Sequence, residues 1–271
     1  MTEKTQTELF TEAIDLAGQF SSEFKGQVDL NKQSRDENSA KVNAEIKRIG
    51  ADGRYQQLFV DQIKGADSSE SYNKKDGMPL KTLSKAFSLV PRNSSATVYL
   101  WGDYDFLGEA RASVIESYIS VTPANYHFDE NRTPVRIKLN TRIDKNNNIN
   151  MDAFYYSQSP NGGSLKFIGI GFDFPETVPE GIQHRALSSI YASWYWHNGS
   201  PMMKLGFIHC DFNMPEDGYG YVLGVGSKTG TLVVNNCTYT TAMAGHWLSD
   251  GAHAGALSKD IHNVVTNLET L

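Results

Sequence analysis

Asp173 and Asp211 occupy the same place in two nearly identical phrases, LKFIGIGFDF from Leu165 and MKLGFIHCDF from Met203. Each lies between residues that belong on a packed face, so in an extended strand both carboxylates point outward. If the phrases stack as neighbouring strands, the two carboxyls stand about 5 Å apart, a separation that retaining glycosidases use. Glu176, Glu180, Glu216 and Asp217 follow on the adjoining loops. Acidic residues are common on the outer faces of such stacks. A pair of solvated carboxylates at strand ends is therefore the simpler reading, with Asp173 and Asp211 kept as candidates for cleavage chemistry.

SWYWHNG, residues 193–199, concentrates aromatic side chains. Alternation puts Trp194 and Trp196 on one face with Ile190 and Ala192, and leaves Tyr195 and His197 on the other. An exposed ring can stack on the apolar face of a sugar while hydroxyls seek a polar rim. Tyr195 and His197 are thus candidate glycan contacts, and GHWLSDGAH, residues 245–253, adds His246 and Trp247. His246, Asp250 and His253 make too sparse a trio for a metal site. DKNNNINMDAFY, from Asp144, imitates a calcium loop through Asp144, Asn146, Asn148 and Asp152. Ile149 stands where the turn glycine belongs and Tyr155 where the bidentate glutamate belongs, so a polar turn between strands is expected instead. No metal and no cofactor are expected; nucleophile elbow, phosphate-binding glycine loop and Cys-x-x-Cys are all missing from the sequence.

The elements that would position these groups follow from the repetition itself. A fainter third copy, TLVVNNCTYT, begins at Thr231. Aligned at spacings of 38 and 27 residues, the copies put Phe167, Leu205 and Leu232 in one column and Ile170, Ile208 and Asn235 in another. Phe172, Cys210 and Cys237 make a third column, and Phe174, Phe212 and Tyr239 a fourth. The inward alternation slips by one residue after Phe167 and resumes at Ile170, which is what a corner does to a strand. An extended piece with a corner, repeated in register, is the sequence form of a β-helix coil. Cys210 and Cys237 are then inward neighbours, better read as packing thiols than as a redox pair. A β-sandwich could repeat two strands by accident, but not a third that shares the cysteine column.

Composition divides the chain near residue 78. All nine prolines lie at or beyond Pro79 and all four tryptophans at or beyond Trp101, while residues 1–78 hold 25 of the 56 charged side chains. A charged, proline-free stretch suits extended helix. One heptad frame fits residues 10–49, with Ile14, Ser21, Val28, Arg35, Val42 and Ile49 on one seam. Phe10, Ala17, Phe24, Asn31, Asn38 and Glu45 form the other. The seams predict an oligomeric helical stalk, against the alternative of two ordinary amphipathic helices packed on each other. Ile261, Val264, Val265, Leu268 and Leu271 recur at near-helical spacing, and are expected to cap the far end or to join copies at a tip.

KDGMPLKTLSKAFSLVPRNSSATVYLWGDYDF, from Lys75, resembles the opening segment of right-handed parallel β-helices in phage tail spikes and tail fibres. The residues that carry the resemblance are Asp76-Gly77, Pro79, Lys81-Thr82-Leu83, Ala86, Val90-Pro91 and Gly102-Asp103-Tyr104. Independently of the family, Leu80, Leu83, Ala86, Phe87 and Val90 line one helical face able to plug the end of a solenoid core. The resemblance extends over residues 75–240 and implies a homotrimer on a virion, anchored to other tail proteins through its N-terminal region. It implies binding to a host surface glycan or receptor, or alternatively depolymerase cleavage of capsular or lipopolysaccharide glycans by outward carboxylates. The small number of coils speaks against cleavage.

The expected architecture is therefore mainly β, a short right-handed parallel β-helix behind an N-terminal α-helical stalk, trimeric by resemblance. Its parts are a coiled-coil stalk over 1–75 for virion attachment, a β-helix with a capping helix over 76–257, and a cap or trimer tip over 258–271. A net charge of −6 argues against a nucleic-acid partner. No stretch approaches the roughly 20 apolar residues of a membrane span, so membrane insertion is not expected. The polar opening MTEKTQTELF does not read as a secretory leader. By resemblance the protein is made in the host cytoplasm and resides in the phage tail.

Overall fold

The computed structural model describes residues 6–51, 55–68, 78–106, 112–114, 116–126, 133–143, 149–156, 163–176, 189–193, 203–224, 229–249 and 253–271. The chain divides into two compact units, Met1–Gly53 and Arg54–Leu271. That division falls ahead of the 75/76 boundary expected from composition.

The first unit is one helix, α1 (Gln6–Ala51), with no break into two. Every described side chain on it, residues 15–39, is exposed. Its large exposed apolar residues are Leu16, Phe20, Phe24, Val28 and Leu30. Phe24 and Val28 lie on the expected seams. Leu16 and Phe20 precede them at four-residue steps, so these exposed apolar residues follow an i, i+4 row inclined to the helix axis rather than the heptad frame.

The second unit is mainly β, and its strands form three parallel sheets that the chain visits in turn. β1 (Tyr55–Val60) leads to a short helix, α2 (Leu83–Ser88). Then come β2 (Ser95–Leu100), β3 (Tyr104–Asp105) and β4 (Ala112–Val114). The next pass is β5 (Tyr118–Pro123), β6 (Val135–Lys138), a hairpin of β7 (Asn140–Ile143) and β8 (Ile149–Asp152), and β9 (Phe154–Tyr156). β10 (Gly163–Ile168), β11 (Ile170–Asp173) and β12 (Ser189–Ser193) repeat the pattern, as do β13 (Met203–Ile208), β14 (Asp211–Asn213) and β15 (Tyr221–Gly224). β16 (Gly230–Asn235), β17 (Thr238–Tyr239) and β18 (Val264–Thr266) complete the described strands. The first sheet runs β1-β2-β5-β10-β13-β16-β18, the second β3-β6-β11-β14-β17 and the third β4-β9-β12-β15. Apart from the antiparallel β7–β8 hairpin, every strand pair among the described residues is parallel. The polar turn expected in place of a calcium site falls between β7 and β8, on residues 144–148, which lie outside the described residues.

Alternation on each strand sends one set of side chains into a shared core. Leu165 and Phe167 point inward on β10, and Ile170, Phe172 and Phe174 resume beyond a corner at Gly169, where φ is +66°. His209 and Asn236 make the equivalent corners with φ of +52° and +50°. A left-handed residue turns the strand sharply without breaking the ladder, which accounts for the one-residue slip in the pattern. Rings stack along the core: Phe167 on Phe207 and Phe172 on Phe212, both with centroids 5.5 Å apart. Edge-to-face contacts link the two columns, as between Phe207 and Phe212 at 4.9 Å.

The ends of the core are covered as the apolar faces require. Thr82 caps α2 by accepting from the Lys85 amide at 3.1 Å. Leu80, Leu83, Ala86, Phe87 and Val90 are all buried, and Phe87 stacks on Phe154 at 5.4 Å. At the other end, the Ile261–Leu271 segment does not form the helix its spacing suggested. β18 extends the first sheet and Leu271 is buried, because an open parallel edge offers a row of backbone partners that a short helix could not satisfy.

Truncating a ring in the stack should be costly. Phe207→Ala is expected to lower unfolding free energy by about 3–5 kcal/mol, and Lys204→Ala, exposed on the same strand, to change it by less than about 0.5 kcal/mol. Urea denaturation followed by circular dichroism measures both; equal effects would contradict the assignment of facing.

Candidate functional site

The two candidate aspartates meet on the outer face of the second sheet, but not as a stacked pair. Strand register sets Phe167 opposite Phe207 and Phe172 opposite Phe212, a spacing of 40 residues where the phrases had suggested 38. Asp173 therefore stands opposite Asn213, and Asp211 opposite Gly171. The later spacing of 27 holds, with Leu205 opposite Leu232 and Phe212 opposite Tyr239. Ring-on-ring packing inside the core outweighs the outward Asp-Phe likeness. Within a straight strand a two-residue shift keeps facing, but it moves the second corner to His209. Phe207 therefore faces inward, while Ile208 and Asn235, expected inward with Ile170, lie on the outer side.

What joins the aspartates is Arg136 on β6. Its backbone partner on β11 is Gly171, whose own partner on β14 is Asp211. Arg136 Nε donates to Asp173 Oδ1 at 2.8 Å and Oδ2 at 2.9 Å, and Nη1 donates to Asp211 Oδ2 at 2.7 Å. A Cβ on residue 171 would sit 2.8 Å from Arg136 Nη1 and 2.9 Å from Cζ, so the guanidinium crosses the strand in this position over a bare glycine and would have to move aside for any larger residue. The network continues on both sides. Thr238 Oγ1 donates to Asp211 Oδ1 at 2.7 Å, Asn213 Nδ2 to Asp173 Oδ1 at 3.1 Å, and the Arg136 amide to Asp103 Oδ1 at 2.8 Å. Partial burial pulls the Arg136 pKa down, but its bond to Asp211 and the charge of Asp173 outweigh that and leave it above the ordinary arginine value. The guanidinium fills the space between the carboxyls that a glycosidic bond would have to enter. Chemically this is a clasp across three strands.

The glycan candidates separate. Tyr195 and His197 lie outside the described residues. Trp247 is 3% exposed, edge-on to Phe212 at 5.3 Å, so it is a core residue and offers no open ring. The exposed ring beside it is Tyr239, 5.4 Å away. His246 stacks on Tyr221 at 5.8 Å, and its Nδ1 donates to the Gly220 carbonyl at 2.7 Å. Asp250 is outside the described residues, and among those described no three metal-binding side chains come together. Cys210 and Cys237 are neighbours as expected, the Cys210 amide donating to Cys237 Sγ at 3.4 Å. Burial pushes the Cys210 thiol up, while the hydrogen bond from Cys210 pulls Cys237 below the ordinary cysteine value.

Sequence reasoning missed one aromatic cluster, on the outer face of the first sheet. Phe59 stacks on Tyr99 at 5.0 Å and lies 6.4 Å from Trp101, which is exposed. Tyr55 donates its hydroxyl to Thr97 Oγ1 at 2.9 Å. The signal was the alternation in YQQLFV and ATVYLWG; the first was hidden by its assignment to the charged stalk. No family model, curated protein or solved structure matches the chain.

Two outcomes follow from this geometry. Gly171→Ala should displace Arg136 and lower stability by roughly 1–2 kcal/mol. Gly206→Ala, whose Cβ would meet Lys166 Cγ at an ordinary 3.7 Å, should be neutral or slightly stabilising. Thermal unfolding of the two variants gives the comparison. Iodoacetamide near neutral pH should label Cys237 well before Cys210, since thiolate appears at lower pH on Cys237 and Cys210 is buried; peptide mass spectrometry reads the order.

Proposed function

We propose that this chain is a fibre or spike protein of a phage tail, built on a short right-handed parallel β-helix, that binds a host surface glycan or receptor as a homotrimer. The observation that carries the reading is the order in which the chain visits three parallel sheets, with α2 covering the end where the resemblance begins. Crossovers between parallel strands are right-handed in nearly all proteins, which favours that winding. α1 would span about 69 Å at 1.5 Å per residue. Its exposed row of Leu16, Phe20, Phe24 and Val28 gains burial only when shared, which favours copies joined along the stalk and an N-terminal attachment to other tail proteins.

Binding without cleavage is preferred over depolymerisation because Arg136 occupies the gap between Asp173 and Asp211. Purified protein should sediment as three chains at micromolar concentration, be detected in purified virions, and retain host polysaccharide without releasing new reducing ends. A monomer in solution would defeat the trimeric reading. Reducing ends that appear with the parent protein and vanish in Asp173→Asn would establish the depolymerase instead.

A further inference from the structure

The outer faces of the first and second sheets differ in chemistry. On the second sheet, Asp103, Asp173 and Asp211 are tied to one another through Arg136. On the first sheet, none of the outward side chains of its seven strands is a carboxylate, in a chain that has 31 of them. Lys166 and Lys204 are the only charges there, and the remainder are hydroxyls, amides, aromatics and aliphatics. Tyr55, Tyr118 and Val265 share one row across the sheet and are 49%, 57% and 67% exposed. Charge depletion with aromatic enrichment is what distinguishes the core of a subunit interface from the rest of a protein surface.

We propose that the outer face of the first sheet is the surface on which copies of this chain meet; the assignment rests on the trimeric reading above and names the contact within it. Seven strands at about 4.8 Å and six residues at about 3.3 Å give a face of roughly 600 Å² in plan. That approaches the about 800 Å² per partner of a stable interface. Sugar sites are concave, whereas this face is the outside of a sheet across its whole width, which fits another broad surface better than a glycan chain. A shared stalk holds the copies at high effective concentration, so a face of this size suffices. The long stems of Lys166 and Lys204 can lie along it and carry their ammonium groups to the rim.

Hydroxyl-radical footprinting of the full chain tests the assignment with an internal reference. Tyr118, Tyr55 and Tyr239 are 57%, 49% and 54% exposed in the single chain, and only Tyr239 lies off this sheet. In the assembled protein Tyr118 and Tyr55 should react markedly more slowly than Tyr239, and the difference should vanish on dilution to single chains. Tyr118→Glu and Val265→Glu should each keep the β spectrum and raise the assembly midpoint about tenfold or more. An oligomer in which the three tyrosines react alike would overturn the assignment while leaving the trimeric reading intact. A single-chain mass for the parent protein would overturn both. Protection that survives dilution would mean that another part of the same chain covers the face, and loss of host-cell binding with assembly unchanged would make it a recognition surface; either result overturns the assignment.

Discussion

The structure depends on aromatic rings held one above another at the spacing of parallel strands. Backbone hydrogen bonds set neighbouring strands about 4.8 Å apart. Phe167 over Phe207 and Phe172 over Phe212 accept that spacing at 5.5 Å between centroids, with interplanar angles of 13° and 15°. Because the two columns also touch edge-to-face, a shift in any one pass would break contacts in two directions. Trp247 closes the column at one end and Phe87, through Phe154, at the other. Register, corner geometry and the positions of the outward groups all follow from this stack.

The corners show how the backbone meets that demand. Gly169, His209 and Asn236 each turn the chain with positive φ, and the Gly169 and His209 amides donate to Ile208 and Asn235 on the following pass. A left-handed glycine is cheap; a histidine or asparagine there needs compensation from its surroundings. His209 has it, with Nδ1 2.9 Å from the Tyr126 hydroxyl. Directly beyond the corner, the same register lays Arg136 across Gly171 and brings Asp173 and Asp211 to one cation. The surface clasp is thus a consequence of core packing, and its partial exposure limits what each ion pair contributes to stability.

Neither end of the parallel stack is left bare. Asp67 orders the approach to α2 by accepting from the Lys81 and Thr82 amides, and the Leu83 amide donates to the Tyr104 hydroxyl at 2.9 Å. These bonds fix a short helix that could not persist alone, so its apolar face can cover Phe154 and its neighbours. The opposite end uses Met243, Trp247, Leu248 and Leu271 for the same purpose. Between the ends, outward residues are free to differ from sheet to sheet, which is why one outer face is charged and internally paired while another lacks carboxylates.

The sequence by itself determined the repeating parallel strands, the slip at the corner, the neighbouring cysteines and the buried face of α2. Each rests on alternation or helical spacing that local geometry enforces. It also marked α1 as helical, though the exposed row through Leu16 and Phe20 lay off the heptad frame. It could not fix the register between phrases, because within each straight strand a two-residue shift preserves facing, and only ring packing across passes placed the second corner at His209 and turned Ile208 outward. That shift decided that Asp173 faces Asn213 and shares Arg136 with Asp211, so the clasp was invisible until three strands were placed side by side. Trp247 illustrates the same division: its type suggested an open ring, but whether a ring lies open or buried depends on what packs over it, and Phe212 and Tyr239 do. The strand Tyr55–Val60 was hidden among charged neighbours, because six residues of alternation are a weak local signal until a partner strand supplies the backbone bonds that hold them.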